Sequence, residues 1–380
     1  MSIFGRTLLR NLIAVLILLS IFLTDTATFA QVSSPSTWTH VATYDEGFFS
    51  PGEFRILGGE KEEPRRLLVL DHYASDQALA RLRLEDGSPI GRTIQFGQGP
   101  GEVSGRGMEI SMFSDGGVLL WDNGQRRANV YGPNLRFRGQ VEGLQDLSVD
   151  PVALVNDSTL AVGMSVSTTD LFRLYRLHRG SGSIRVAEKP LATIETTDHE
   201  LLDRGQLDEN FMIRQGVARR VEDGLYFGFM FGSLVTGVTE KGLRWTTAEP
   251  VNHALPVYNF RDGNAVVAPR LDKFSRGILD LTGDSSHLYV LYSGQKIGGD
   301  RGLLGQITGR DVAAEREAIS HSDRLFVFDR TTAEFVREIR LPIRARGIDV
   351  TSRYAVLYVT EEREAPTFEV YRIPEADDTP

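Results

Sequence analysis

Cysteine is missing from all 380 residues, and that one absence removes several chemistries. No thiolate nucleophile, thiolate-bound zinc, iron–sulfur cluster or disulfide can be built from this chain. Lysine is scarce as well, confined to positions 61, 189, 241, 273 and 296, so arginine carries nearly all of the positive charge. Acidic residues outnumber basic ones, 51 to 42, and no basic block occurs. That balance argues against nucleic acid or an anionic membrane as a partner. Helical periodicity is almost absent after residue 37. Also missing are the phosphate-loop pattern, the D-x-D-x-D-G calcium loop, the H-E-x-x-H zinc motif and the G-x-S-x-G nucleophile elbow.

The first thirty residues stand apart. Arg6 and Arg10 precede "LIAVLILLSIFL" (12–23), which is apolar apart from Ser20, and "TATFA" supplies small residues before Gln31. This is the layout of a secretory signal peptide cleaved after Ala30. A membrane anchor would need about 20 apolar residues, more than this core has. The mature chain is therefore expected to be exported, periplasmic or extracellular, with no span left after cleavage. Residues 31–37 read as a short linker. Taking out Arg6, Arg10 and Asp25 leaves 40 basic against 50 acidic residues, a charge suited to solubility.

Short strands fill the rest. "LLVLD" (67–71), "VLLWD" (118–122), "LAVGM" (160–164), "LYFGF" (225–229), "LYVLY" (288–292) and "AVLYV" (355–359) are near-continuous apolar runs, as in strands covered on both faces. Their starts lie 51, 42, 65, 63 and 67 residues apart, the spacing of propeller blades stretched by loops. Several follow a glycine, a short strand and a polar turn, as in "GMEISMFSDGGVLLWD" (107–122) and "GILDLTGDSSHLYVLY" (277–292). Alternating third strands come next, such as "ALARLRL" (78–84) and "RANVYG" (127–132). These units predict an all-β, six-bladed β-propeller with four-stranded antiparallel blades over 38–375, followed by an acidic tail, 376–380.

The stretch "RTIQFGQGPGEVSGRG" (92–107) joins the outermost strand of one blade to the innermost strand of the next. A path from rim to axis turns sharply, and glycine and proline suit it. "SPGEF" (50–54) echoes "GPGEV" (99–103), so Pro51, Gly52, Gly97, Gly99, Pro100 and Gly101 are assigned to structural corners. The same logic makes "WTHVATY" (38–44) an outermost strand. Blade six shows only three strands of its own (about 347–351, 354–359 and 367–373), so the N-terminal strand is expected to close the ring and remove its open edge.

The segment "FGQGPGEVSGRGMEISMFSDGGVLLWDNGQRRANVYGPNLRFRG" (96–139) resembles one repeat of NHL-type six-bladed β-propellers. Asp122, Gln125 (where the family usually has Asn), Arg127 and Val130-Tyr131 match the order of that repeat. The G-P-G-E corner is similar to that of a large group of exported bacterial propellers, mostly without assigned activity. The match is partial over 50–90 and 344–373 and reaches only the strand pattern between 145 and 340. The resemblance implies the fold and structural work for Asp122 and Arg127; it carries no catalytic residue.

In antiparallel blades the turns from second to third strand and the crossings between blades share one face. The long connections 196–215, 249–276 and 293–322 all fall there, and connections of such length are uncommon unless functional or mobile. "RDVAAEREAI" within the last could form a short helix. The candidate binding face holds Glu53, His72, Glu102, Arg106, Asn123, His199, Arg204, His253, Lys296, Arg301 and Arg310. His72 beside Asp71, and His199 beside Asp198, are possible metal ligands.

Two functions follow. The first is a monomeric, noncatalytic scaffold, free of cofactors, that binds a protein, peptide or glycan partner. The second resembles lactonase-type propellers: a hydrolase of the lactonase or phosphotriesterase type, holding a divalent metal, calcium or zinc, near the axis. Glu53 or Glu102, Asn123, Asn156 and Asp280 are its candidate ligands.

Overall fold

The computed structural model describes residues 38–45, 48, 50–57, 65–72, 74, 76–105, 107–144, 152–163, 170–179, 183–195, 216–230, 232–247, 259–260, 266–267, 276–295, 320–360 and 365–373. The leader, the linker, the acidic tail and most of the three long connections fall outside them.

Each apolar run became a strand with a partner on both sides. After β1 (Thr39–Tyr44), strands β2 (Pro51–Leu57), β3 (Arg66–Asp71), β4 (Gln77–Arg83) and β5 (Pro89–Gln95) form an antiparallel sheet in that order. β6 (Met108–Met112), β7 (Val118–Asp122), β8 (Arg127–Tyr131) and β9 (Phe137–Glu142) form the next ladder. β10 (Val152–Asn156), β11 (Thr159–Gly163) and β12 (Asp170–Arg179) follow, with β13 (Ile184–Val186) and β14 (Ala192–Glu195) both paired to β12. Then come β15 (Gly216–Val221), β16 (Gly224–Phe229), β17 (Val235–Thr239) and β18 (Gly242–Thr246), and a small ribbon of β19 (Asn259–Phe260) with β20 (Val266–Val267). β21 (Ile278–Gly283), β22 (His287–Tyr292), β23 (Ser322–Asp329) and β24 (Phe335–Ala345) make another sheet. β25 (Gly347–Val350), β26 (Tyr354–Val359) and β27 (Thr367–Arg372) make the last, and β1 pairs with β27 on its outer side.

The result is an all-β propeller of four-stranded antiparallel blades. The first strands β2, β6, β10, β15, β21 and β25 each touch the next, and β25 touches β2 again. Apolar clusters lie between successive sheets. Leu119, Trp121 and Val130 meet Leu154, Leu160 and Tyr175, while Phe172 meets Phe227 edge-on at 5.2 Å. Where the two ends of the chain meet, Tyr44, Phe48, Phe54 and Phe368 pack as one cluster. No cross-link is available, so packing area between sheets and the ladders themselves must supply the stability.

Two features differ from expectation. The alternating pattern of the third strands suits one more exposed face, yet β8 is buried at every position after Arg127. β9 covers its edge and the neighbouring sheets cover its faces, so exposure moves out to fourth strands such as β9 and β5. Second, the ladders β6–β9 and β10–β14 are not separate. β12 runs on past β14, and its hairpin partner β13 pairs in parallel with β9, Ile184 opposite Val141 and Arg185 opposite Glu142. The outer edge of one blade is thereby covered by the next, giving a nine-stranded sheet.

Tyr44 tests the junction of the chain ends. It is 5% exposed, lies opposite Phe368 and donates its hydroxyl hydrogen to the carbonyl of Leu84. Tyr44→Ala is expected to cost about 3–5 kcal/mol in urea unfolding. Thr39→Ala, at the exposed start of the same strand, should stay within about 0.5 kcal/mol of the parent.

Candidate functional site

A first strand has a sheet neighbour on one side only, so amides on its axial edge need other acceptors. In this chain the acceptors are side chains of the preceding first strand. Ile110 N donates to Glu53 Oε2 at 2.6 Å, and Leu154 N to Ser111 Oγ at 3.2 Å. Ile348 N donates to Asp280 Oδ2 at 3.0 Å, and Ile56 N to Asp349 Oδ2 at 2.6 Å. The stitches thus run β21 to β25, β25 to β2, β2 to β6 and β6 to β10. Asp349 also accepts from Thr282 Oγ1 at 2.6 Å, back across to β21.

Arg219 of β15 connects this edge with the opposite side of the ring. Its Nη1 lies 2.7 Å from Glu53 Oε1 on β2, and its Nη2 lies 3.0 Å from Asp280 Oδ1 on β21. β15 and β2 are not neighbours in the ring, so this guanidinium reaches over the axis. Arg55 adds a second cation, 3.3 Å from Glu53 Oε2. Burial alone would raise the Glu53 carboxyl, but the charges of Arg219 and Arg55 and the Ile110 amide together hold it below the usual carboxylate range. Burial would also discharge Arg219; Asp280 and Glu53 reverse that and push it up. Asp349 goes the other way. Burial raises it, and Arg55, Thr282 and the Ile56 amide offset this only in part. The arrangement is a neutralising network of carboxylates and guanidiniums, each group already engaged.

The glycine-rich corner is built from β7 and β8. Asp122 accepts from Ser104 N and Ser104 Oγ at 2.5 Å each and from Gln125 N at 3.1 Å. Arg127, Asn129 and Tyr131 alternate along β8 and so share one face. Arg127 donates to the carbonyls of Gln98, Gly99 and Glu102, Asn129 to that of Glu102, and Tyr131 to that of Gly101. Gln125 Nε2 donates to Gly97 O at 2.5 Å. Glycine is required at Gly101, where φ is 75° and an added β-carbon would lie 2.8 Å from the Phe137 ring. Asp71 repeats the role of Asp122 at the other corner, accepting Ser50 N at 2.8 Å with Arg92 at 3.4 Å.

The expected binding residues therefore separate. Glu53 is in the axial network. Glu102 turns inward and accepts the Gly99 amide at 2.7 Å, a corner role. His72 packs on Gly52, its backbone amide donating to Ser50 O at 3.0 Å, and burial, opposed by Glu53, lowers its imidazole. Asn123 sits over the start of β6, its amide donating to Gly107 O at 3.2 Å. Asn156 ends β10, on the face away from the crossings, and bonds Glu240. Arg106, His199, Arg204, His253, Lys296, Arg301 and Arg310 lie outside the described residues, as does the segment "RDVAAEREAI". Among the described residues, no three His, Asp or Glu side chains are grouped to hold a metal ion, and no helix is long and apolar enough to cross a membrane.

Sequence reasoning singled out Glu53 and Asp280 but missed Ser111, Asp349, Arg55 and Arg219. A signal was present: charged or hydroxyl residues sit two to four positions into the strands after Gly52, Gly107, Gly216, Gly277 and Gly347. An otherwise apolar innermost strand has no reason to carry them unless they face an axis lined by amides.

No family model matches the chain, and no curated protein matches it. Among solved structures, the chain is similar to a protein of Bacteroides fragilis described as a candidate exported protein, at 11% identity, covering 91% of this chain and 98% of that one, with a TM-score of 0.49. It is also similar to the β-propeller domain of Cps50 (Swd1) from Myceliophteria thermophila, at 9% identity, 89% and 100% coverage and a TM-score of 0.43. Virginiamycin B lyase from Staphylococcus aureus follows at 10% identity, 89% and 98% coverage and a TM-score of 0.44. Scores this low are resemblances only; the propeller assignment rests on the ladders and the ring of first strands.

Removing one partner of a buried pair leaves a stranded charge, so Arg219→Leu is expected to cost about 3–5 kcal/mol. Glu53 is depressed in the folded state, so its contribution is present above the ordinary carboxylate pKa and lost as pH falls through the folded value. With Arg219 gone that value rises. The acid-unfolding midpoint, followed by tryptophan fluorescence, should move to higher pH. Arg127→Met strips three corner carbonyls of a charged donor, and about 1.5–3 kcal/mol should be lost. Limited proteolysis should then cut within 97–105 sooner than in the parent.

Proposed function

We propose that the chain is an exported, noncatalytic six-bladed propeller, NHL-like in its repeat, whose connection-rich face binds a protein, peptide or glycan partner. Several facts support the count of six. The nine-stranded sheet resolves into two four-stranded ladders joined by β13, giving six ladders around a ring of six first strands. The pairing of β1 with β27 supports closure by the N-terminal strand. Export is supported by the leader sequence alone, and cleavage after Ala30 would leave Gln31 as the first residue.

The observation that carries the binding reading is the commitment of the axial groups. Glu53, Asp280 and Asp349 accept strand amides and pair with arginines or a threonine. A metal-dependent hydrolase would need several of these carboxylates turned toward one ion, at the expense of the stitches that join the sheets. Meanwhile the longest connections, β14 to β15, β18 to β21 and β22 to β23, all leave and re-enter their sheets at the same end of the blades, by the alternation of strand direction. Binding surfaces on rigid scaffolds are commonly built from such connections.

The test uses mature protein starting at Gln31. Metal content is measured by mass spectrometry, turnover is screened on lactones and phosphotriesters with added calcium or zinc, and binding is screened on peptide and glycan arrays. The expected outcome is no metal-dependent turnover, together with array binding that is lost when 196–215 is replaced by a short glycine–serine connection. Stoichiometric calcium or zinc accompanied by turnover would replace the scaffold with the hydrolase.

A further inference from the structure

Alternation of strand direction puts three features of the last two blades at one end, opposite the long connections: the start of β24, the passage from β25 to β26, and the exit of the chain from β27. Arg337 and Arg353 stand there, both exposed. Arg337, near the start of β24, lies opposite Val327, which in turn lies opposite Tyr289. Cross-strand partners share a face, so Arg337 is on the face of Val327 and Tyr289, which pack in the cluster shared with the last blade. Arg353 lies between β25 and β26, and its carbonyl accepts Ile373 N at 2.9 Å.

Among the described residues neither arginine forms an ion pair, whereas Arg324 and Arg340 of the same sheet are held by Glu338 and Asp323. Asp284 is engaged, accepting from Tyr289 Oη at 3.0 Å and from the amides of Ser286 and His287. The described chain stops at Ile373, which packs in the same cluster as Val327, Tyr289, Leu341 and Trp38. Trp38 Nε1 donates to Arg340 O at 3.1 Å, and the next residue, Thr39, lies opposite Arg372, so the exit is beside β24. The sequence continues as Pro374-Glu375-Ala376-Asp377-Asp378-Thr379-Pro380, acidic at three positions and basic at none. From Arg340 to Arg337 is about 10 Å along the strand, and the residues from Pro374 to Asp378 extend about 17 Å. The acidic side chains are within reach.

We propose that residues 375–378 dock on Arg337 and Arg353 as an acidic strap over the junction of the last two blades. Guanidiniums and carboxylates match in forked geometry. Exposed pairs are individually weak and screened by salt, but this segment is tethered beside its site, at an effective concentration on the order of mM. The strap joins the blade that closes the ring to its neighbour and occupies two arginines that would otherwise draw acidic molecules to this end. It lies away from the long connections and does not depend on what binds there.

Because the chain has no cysteine, two introduced thiols can be labelled selectively. Val336, 48% exposed beside Arg337, and Thr379 receive spin labels as Val336→Cys/Thr379→Cys in the protein from Gln31 to Pro380. Pulsed dipolar measurement at low ionic strength should give one narrow distance distribution. It should broaden about twofold or more in Glu375→Gln/Asp377→Asn/Asp378→Asn, in Arg337→Gln/Arg353→Gln, and in about 1 M salt, where the screening length falls to about 3 Å. The acidic substitutions lie outside the described ladders, so they keep the test decisive if the arginine variant fails to fold. A broad distribution in the parent, or one that none of these changes alters, overturns the strap. So does a dipolar signal on mixing singly labelled molecules, which would assign the arginines to a second copy of the chain.

Discussion

The axial edge of each first strand is the constraint from which the rest of the molecule follows. Radial sheets pair their strands internally and leave the innermost edge without a backbone partner, where Ser111, Asp280 and Asp349 are buried. Unmade hydrogen bonds there would be costly, about 1–3 kcal/mol for each buried group. Glu53, Ser111, Asp280 and Asp349 each take the amide of the following first strand. The same bonds that satisfy the edge also fix one sheet against the next. Carboxylates gathered for this purpose repel one another, and Arg219 and Arg55 balance them.

The corners solve the complementary problem at the other end of the crossings. A chain arriving from the rim must turn into the axial strand, and its carbonyls would lie exposed in an irregular path. β8 presents Arg127, Asn129 and Tyr131 on one face to hold them. Asp71 and Asp122, which end the second strands of two sheets, hold the serine amides at the entries. Axis and corner together tie the first strands to one another and to the segments that enter them.

The fold was largely legible in the sequence because buried strands leave dense, punctuated signals. "VLLWD" is buried at all five positions, and "WTHVATY" pairs with "FEVYR" as the missing fourth strand required. The axial network was legible only in part. Glu53 and Asp280 drew notice only as candidate ligands near the axis, and the two contacts that join residues 53, 219 and 280 have no local period to reveal them. Arg219 looked like an ordinary polar residue because its partners lie 166 positions before it and 61 after. β13 escaped for a different reason: "IRV" is three residues long, too short to stand out from a turn.

That three-residue strand has a consequence for how copies of this molecule meet. A blade normally ends in a bare ladder of donors and acceptors, ready to template a foreign strand into a growing filament. By lending β13 to β9, the chain occupies one such ladder with its own backbone. Over that stretch the rim is already saturated, so polymerisation by strand addition would have to begin elsewhere.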